Sequence, residues 1–221
     1  MSDYEKNIER LYQEPVFAKG GGVCRSPWDI DWQDEPFSPQ DETLISPIKL
    51  PGIMKDIWEK GKPTKTSAVY IHVPFCRLSC TYCAFYKKQA DEAAQHAYAN
   101  LLVKEIQSLQ NRPYLTRSKI SSIFFGGGTP GILSAADISS IMEAIHEVLP
   151  LTKDAEITME SSLSDMTEEK MDAAISCGVN RFSFGVQSFD TKIRNAVGRP
   201  LPREEVLKKL SAFAKKDALM I

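Results

Sequence analysis

From Ser67 to the end of the chain, short apolar stretches alternate with longer amphipathic ones, and this alternation constrains the fold more than any other feature. The pattern predicts strands at residues 67–73, 120–125, 155–160, 181–186 and 218–221, with helices at 91–110, 134–149, 167–178, 189–197 and 203–216. Strands and helices that alternate in this way form βα units around a parallel sheet. We therefore expect an α/β fold with about four and a half βα units, which right-handed crossovers would curl into a partial (β/α) barrel.

The first 66 residues do not share this pattern. They are rich in proline and glycine, and no helical or strand period persists through them. We interpret residues 1–66 as an irregular N-terminal leader that packs through Trp28, Trp32 and Trp58 and contains a short helix at 53–60; a disordered tail is the alternative. Residues 67–221 form the second predicted domain. Because they stop on an apolar run, we expect this domain to be the N-terminal part of a truncated barrel, and a truncated, inactive product is one alternative for the chain alone.

Composition excludes several classes of function. The 221 residues are 43% hydrophobic and 25% charged, with a net charge of −2, so no basic excess points to nucleic acid or to an anionic membrane. No apolar run is long enough to span a membrane, and the N-terminus lacks the apolar core of a signal peptide. These features predict a cytoplasmic protein. Because that compartment is reducing, clustered cysteines are expected to act as ligands rather than to form disulfides.

Three of the five cysteines lie within eight residues, directly after the first predicted strand. Cys76, Cys80 and Cys83 form a CxxxCxxC pattern in the stretch YIHVPFCRLSCTYCAFY. Three thiolates can hold three irons of a [4Fe–4S] cluster and leave the fourth iron open for a substrate. A zinc site is the alternative, but zinc usually takes four ligands, and Cys24 and Cys177 lie far away in the sequence.

Further polar and glycine residues follow the next three strands. The stretch FFGGGTPGILS follows the second strand, and glycines there would let a ligand approach the backbone closely. Glu160 ends the third strand and Gln187 lies just beyond the fourth, at the edge that carries active sites in such folds. His72 lies inside the first strand, where a histidine is more often buried and hydrogen-bonded than an iron ligand.

The cysteine stretch, followed about forty residues later by GGGTP, resembles the radical S-adenosylmethionine (SAM) enzymes. Within them, the chain is similar to the branch that contains oxygen-independent coproporphyrinogen dehydrogenase, its heme-chaperone relatives and the anaerobic heme-degrading methyltransferases. The resemblance implies a [4Fe–4S] cluster held by Cys76, Cys80 and Cys83. The cluster would cleave SAM to a 5′-deoxyadenosyl radical. It implies SAM contacts at the following residues: Tyr70, Tyr82, Gly127, Gly128, Thr129, Glu160, Gln187 and Arg199.

Three features favour the heme-utilisation group within this branch. The leader is long, the segment after the fourth strand is similar to that group's, and Ser161-Ser162-Leu163 stands where the other groups have the end of Glu-x-Asn-Pro. Phe85 also stands where the dehydrogenases have an extra cysteine. The resemblance therefore implies an enzyme that opens and methylates the heme macrocycle, with heme or a related tetrapyrrole and an electron donor such as flavodoxin or ferredoxin as partners. A coproporphyrinogen III oxidase-like protein and a heme chaperone without turnover are the alternatives.

Overall fold

The computed structural model describes residues 18–19, 22–23, 48–63, 66–83 and 88–221. The chain divides into two compact units, Met1–Pro51 and Gly52–Ile221. In the first unit, strands β1 (Ala18–Lys19) and β2 (Gly22–Val23) pair antiparallel. The predicted positions Cys24, Trp28, Trp32 and Phe85 lie outside the described residues. The predicted boundary between residues 66 and 67 stays a prediction.

The second unit is built on one parallel sheet of five consecutive strands. They are β3 (Ser67–Val73), β4 (Ile120–Gly127), β5 (Leu151–Ser161), β6 (Arg181–Phe184) and β7 (Leu219–Met220). Each strand pairs with the next in the chain, so the spatial order is also the sequence order. This arrangement confirms the predicted α/β fold of successive βα units that make up part of a barrel.

The described residues contain seven α-helices and one short 3-10 helix, Pro130–Ile132. The α-helices are α1 (Leu50–Lys60), α2 (Glu92–Ser108), α3 (Pro113–Thr116), α4 (Ala135–Val148), α5 (Glu168–Ser176), α6 (Thr191–Ala196) and α7 (Arg203–Phe213). Side-chain oxygens cap four of the helices that follow strands, since Asp91, Ser134, Thr167 and Asp190 each accept a backbone N–H of the first turn. Trp58 on α1 packs edge-on against Tyr114 of α3, with ring centroids 5.8 Å apart.

Burial alternates along the strands and separates the two faces of the sheet. In β3, Ile71 and Val73 are buried while Tyr70 and His72 are exposed. The buried face joins the apolar sides of the helices in one core, which includes Ile141 of α4. The opposite face carries exposed aromatic and polar side chains.

The carboxyl ends of the strands lie at one edge of the sheet because all five strands are parallel. Four loops therefore meet there. They are the cysteine loop (residues 74–83), the glycine loop (127–134), the serine loop (161–167) and the glutamine loop (185–190). Parallel α/β sheets bind ligands at this edge. Most of the predicted site residues lie on these loops or on the strand ends beside them, while Tyr70 lies within β3 and Arg199 lies between α6 and α7.

Candidate active site at the carboxyl edge of the sheet

The cysteine loop is anchored at its base by backbone hydrogen bonds. The N–H of Cys76 donates to the carbonyl of Lys88 over 3.1 Å, and the N–H of Cys83 donates to the carbonyl of Cys80 over 3.2 Å. All three cysteines are half-buried thiols outside any disulfide of the described residues. The loop therefore presents three reduced sulfurs within one short turn.

The three thiols line a single cavity between the loops. Its walls are formed by Cys76, Leu78, Cys80, Tyr82, Cys83, Gly128, Thr129, Ser162, Asp165 and Arg199. Seven of the predicted site residues are thus brought together, although they come from three separate parts of the sequence. Among the described residues, no three acidic, histidine or cysteine side chains converge on a point suited to a single metal ion. A [4Fe–4S] cube binds each thiolate to a different iron, so its ligands do not need to converge on one point.

The glycine loop passes so close to β3 and the cysteine loop that there is no room for a side chain at Gly127 or Gly128. The N–H of Gly128 donates to the carbonyl of Val73 and that of Thr129 to the carbonyl of Phe75, each over 2.8 Å. A Cβ on Gly128 would lie 2.5 Å from the Phe75 oxygen and 3.0 Å from Cys76 Sγ. Gly127 has a φ of 112°, which disfavours other residues. The glycines therefore form a cradle against the thiols.

Thr129 and Glu160 place polar groups beside this cradle. The Thr129 hydroxyl lies 3.5 Å from Cys76 Sγ. Glu160, near the end of β5, accepts a hydrogen bond from the backbone of Gly127, but burial outweighs it and raises the pKa of this carboxyl above 4.5. On the exposed face of β3, Tyr70 stacks against Phe124, with ring centroids 6.3 Å apart. Burial and the charge of Glu160 raise the pKa of Tyr70.

His72 differs from its expected environment. It is exposed, because it lies on the same face of β3 as Tyr70. It does form a hydrogen bond, since its Nδ1 lies 3.1 Å from the Tyr70 hydroxyl. The expectation of burial was wrong because an alternating strand with one open face exposes every second residue.

Arg199 connects the cysteine loop to the segment after β6. Its Nη2 donates to the Tyr82 hydroxyl over 3.0 Å, while its Nε is buried and has no hydrogen-bond partner among the described residues. Burial alone would lower the pKa of Arg199, but Tyr82 and the nearby Cys80 raise it. A buried guanidinium N–H without a partner is suited to an anionic ligand.

Gln187 lies at the rim of the site rather than in its cavity. It is exposed and has a φ of 65°, a conformation uncommon for residues other than glycine. A Cβ on Gly185 would lie 3.3 Å from the Gln187 amide and 3.5 Å from Arg199 Nη2, so these two side chains are neighbours. The turn is held by Arg194, only 2% exposed, whose Nη1 donates to the carbonyls of Val186 and Ser188.

Sequence reasoning missed the charged residues that hold the loops. Arg194 is one, and the others are Arg77, Asp165, Lys170 and Lys209, all of which form hydrogen bonds or ion pairs within or beside the site. No periodic pattern marks them. The one available signal was the departure of the serine loop from the expected family motif.

Comparison with known proteins places these features in a family. A sequence model of the Radical SAM superfamily matches residues 70–218. Anaerobilin synthase of Escherichia coli O157:H7 is 38% identical over 149 residues, which cover 67% of this chain and 34% of that protein. Heme chaperone HemW of Lactococcus lactis is 35% identical over 135 residues, covering 61% of this chain and 34% of the chaperone.

A solved structure shares the fold. Coproporphyrinogen III oxidase (HemN) from Escherichia coli, a radical SAM enzyme, aligns with a TM-score of 0.60 and 29% identity over 66% of this chain and 34% of that one. The chain thus spans about a third of the length of these relatives. No helix in the described part of the chain is long and apolar enough to cross a membrane.

Proposed function

Because this chain belongs to the radical SAM superfamily, we propose that Cys76, Cys80 and Cys83 hold a [4Fe–4S] cluster and that SAM binds beside them. Members of the superfamily use both cofactors in general. The residues of the site fit them. Three thiols line one cavity, a glycine cradle adjoins them, and Arg199 has a buried N–H available for an anion.

Each remaining site residue has a chemical role in this proposal. Glu160 accepts a hydrogen bond from the cationic amino group of SAM, and Arg199 pairs with the carboxylate of SAM. Gly127, Gly128 and Thr129 let the ligand lie against the backbone, while Tyr82 keeps Arg199 in place. The side chains of Tyr70 and Gln187 line the edge of the space that the ligand occupies. When bound and reduced, the cluster would supply one electron to SAM, which would break the C5′–S bond and give methionine and a 5′-deoxyadenosyl radical.

We further propose that the substrate is a tetrapyrrole and that the reaction is anaerobic opening and methylation of heme. The similarity to anaerobilin synthase carries this proposal, and the altered serine loop and long leader support it. A heme chaperone that binds heme without turnover is the second candidate, favoured by the similarity to HemW. A coproporphyrinogen III oxidase-like activity is the third candidate, supported by the similarity to the oxygen-independent enzyme. A cytoplasmic location and an electron donor such as flavodoxin or ferredoxin are part of the first proposal.

Anaerobic incubation with heme, SAM and a chemical reductant separates the candidates. Loss of the heme absorbance, with formation of 5′-deoxyadenosine and S-adenosylhomocysteine, is the expected result for heme opening. Stable heme binding without these products would favour the chaperone instead. Since the chain spans a third of its relatives, the assay is run on the 221-residue chain and on any longer reading frame that contains it. SAM cleavage only by the longer protein would show that the shorter chain is inactive alone.

Glu160→Gln should weaken SAM binding about tenfold at pH 7, because a charge-assisted hydrogen bond to the amino group is lost. The affinity of the wild type should also fall as the pH drops through the pKa of Glu160. Because burial raises that pKa, the fall should begin at a higher pH than for an ordinary carboxyl. The variant should lack this dependence. Equilibrium dialysis between pH 7 and pH 5 measures both effects.

Glu156→Gln is the matched control, since Glu156 lies four residues earlier on the same strand and pairs with Arg181. Its SAM affinity and pH dependence should match those of the wild type. Unchanged SAM affinity in Glu160→Gln would show that Glu160 does not contact SAM.

A further inference from the structure

Arg77 lies next to Cys76 in the cysteine loop and reaches across to the serine loop. Its Nε is 2.8 Å from an Asp165 carboxylate oxygen, an ion pair without hydrogen-bond geometry, so this buried oxygen has the Arg77 charge beside it but no hydrogen-bond donor among the described residues. The Asp165 side chain is only 4% exposed, whereas that of Arg77 is 60% exposed. A buried carboxylate is costly unless a cation or hydrogen-bond donors compensate it, so the position of Asp165 depends on its partners.

The serine loop is shaped to present this carboxylate. The Ser162 hydroxyl donates to the second Asp165 oxygen over 2.6 Å, and the N–H of Asp165 donates back to the hydroxyl over 3.2 Å. Ser162 lies in the stretch that departs from the family's Glu-x-Asn-Pro pattern. Ser162, which replaces a residue of that motif, therefore forms a turn that orients Asp165 toward the cysteine loop.

A lysine ties the same turn to the glycine loop. Lys170 Nζ donates to the carbonyls of Gly131, Ile132 and Asp165 over 3.0 to 3.2 Å. A second lysine, Lys209, donates to the carbonyls of Leu163 and Met166 over 2.8 and 2.9 Å. These ammonium groups satisfy carbonyls that would otherwise be left unpaired in a partly buried loop.

We propose that Arg77, Asp165 and Lys170 form a latch that joins the cysteine, glycine and serine loops and positions the three thiols for the cluster. The latch rests on the proposed function, because its purpose is to hold the cluster ligands. Arg77 directly follows the Cys76 ligand, so movement of its side chain is passed to the sulfur through one peptide unit. Further anchors of the outer loop include the Tyr82–Arg199 hydrogen bond, a 3.3 Å bond from the Thr81 N–H to the carbonyl of Val197, and a 3.5 Å bond from the Thr81 hydroxyl to the carbonyl of Ala196.

The test measures the mobility of the cysteine loop and the retention of iron in separate experiments. Arg77→Gln, Asp165→Asn, the double variant and Arg77→Lys are prepared in the full 221-residue chain and reconstituted anaerobically with iron and sulfide. Iron loss to a chelator is timed in the reconstituted proteins. Amide hydrogen exchange of residues 76–83 is measured in the metal-free proteins, with exchange in β4 as the measure of overall folding. Asp172→Asn is the matched control. Asp172 forms an ion pair with Lys216 at a distance of 2.7 Å, and this pair lies outside the site.

Arg77→Gln and Asp165→Asn should each lose iron about tenfold faster than the wild type, as expected when a partner that supports metal ligands is removed. Exchange in residues 76–83 should accelerate while β4 stays protected. The double variant should be no worse than Asp165→Asn, because the two residues act as one unit, and Arg77→Lys should restore most of the retention. Asp172→Asn should behave as the wild type does.

The latch would be overturned if Arg77→Gln and Asp165→Asn retained iron as well as the wild type does. It would also be overturned if the effect of the double variant were the product of the two single effects. If Asp165→Asn does not fold, Arg77→Gln still decides the matter because Arg77 is exposed. Failure of the wild type to take up a cluster would overturn the proposed function. In that case, faster exchange of residues 76–83 in the variants would still support the latch, and unchanged exchange would overturn it.

Discussion

Cys80→Ala should abolish both the brown absorbance at about 400 nm after reconstitution and all cleavage of SAM. Among the described residues, three thiols line the cavity, and each is expected to bind one iron, so the loss of one leaves a cube with two of these ligands. Cys80 also lies beside Arg199 and Tyr82. Its removal therefore disturbs the group proposed to bind the SAM carboxylate. Absorption spectra, iron content and 5′-deoxyadenosine formation measure the outcome.

Cys177→Ala provides the matched control for this experiment. Cys177 is a half-buried thiol at the end of α5, where its Sγ lies 3.6 Å from the Ser139 hydroxyl and away from the three thiols of the cavity. This variant should keep the full iron content and the cleavage activity. A Cys80→Ala protein with a complete cluster and normal SAM cleavage would contradict the assignment of the ligands.

The regular part of the fold was predictable because local patterns determine it. Apolar periodicity located the helices after each strand, and the predicted starts at residues 134 and 167 coincide with Ser134 and Thr167, whose side chains accept hydrogen bonds from the first turns. Differences occur at the ends of elements. Strand β5 begins at Leu151 rather than at 155, because exposed residues at its start weaken the apolar signal while the backbone still pairs with β4. The short helix α3 gave no periodic signal.

The site was predictable only where its residues form short motifs. The cysteines, the glycines and Thr129 follow strands directly, so the parallel topology alone brings them to one edge. Arg77 and Asp165 could not be paired from the sequence, because their contact depends on how two loops pack after the sheet has formed. The same reason hides Arg194. Its side chain crosses the turn that contains Gln187 and satisfies carbonyls there, and nothing in the local pattern indicates this.

Arg194→Met should destabilise the protein by about 3 kcal/mol, because it removes a buried donor that serves three carbonyls, of which, among the described residues, only that of Val186 keeps another donor, the N–H of Ser188. Arg194 Nε donates to the carbonyl of Leu201 over 2.7 Å, and Nη1 donates to those of Val186 and Ser188. Methionine keeps much of the length of the side chain but cannot donate. Urea denaturation, followed by circular dichroism, measures the change in the free energy of unfolding.

The same variant should impair the site beyond its effect on stability. Gln187 lies in the turn that Arg194 holds, with a positive φ that the surrounding contacts must maintain. Release of the turn frees the chain on both sides of Gln187, so SAM affinity should fall even at temperatures where the protein is fully folded. Arg203→Met is the control, since Arg203 is exposed at the start of α7, and its stability should change by less than about 0.5 kcal/mol. If Arg194→Met changes stability no more than Arg203→Met does, the buried hydrogen bonds are not what holds this turn.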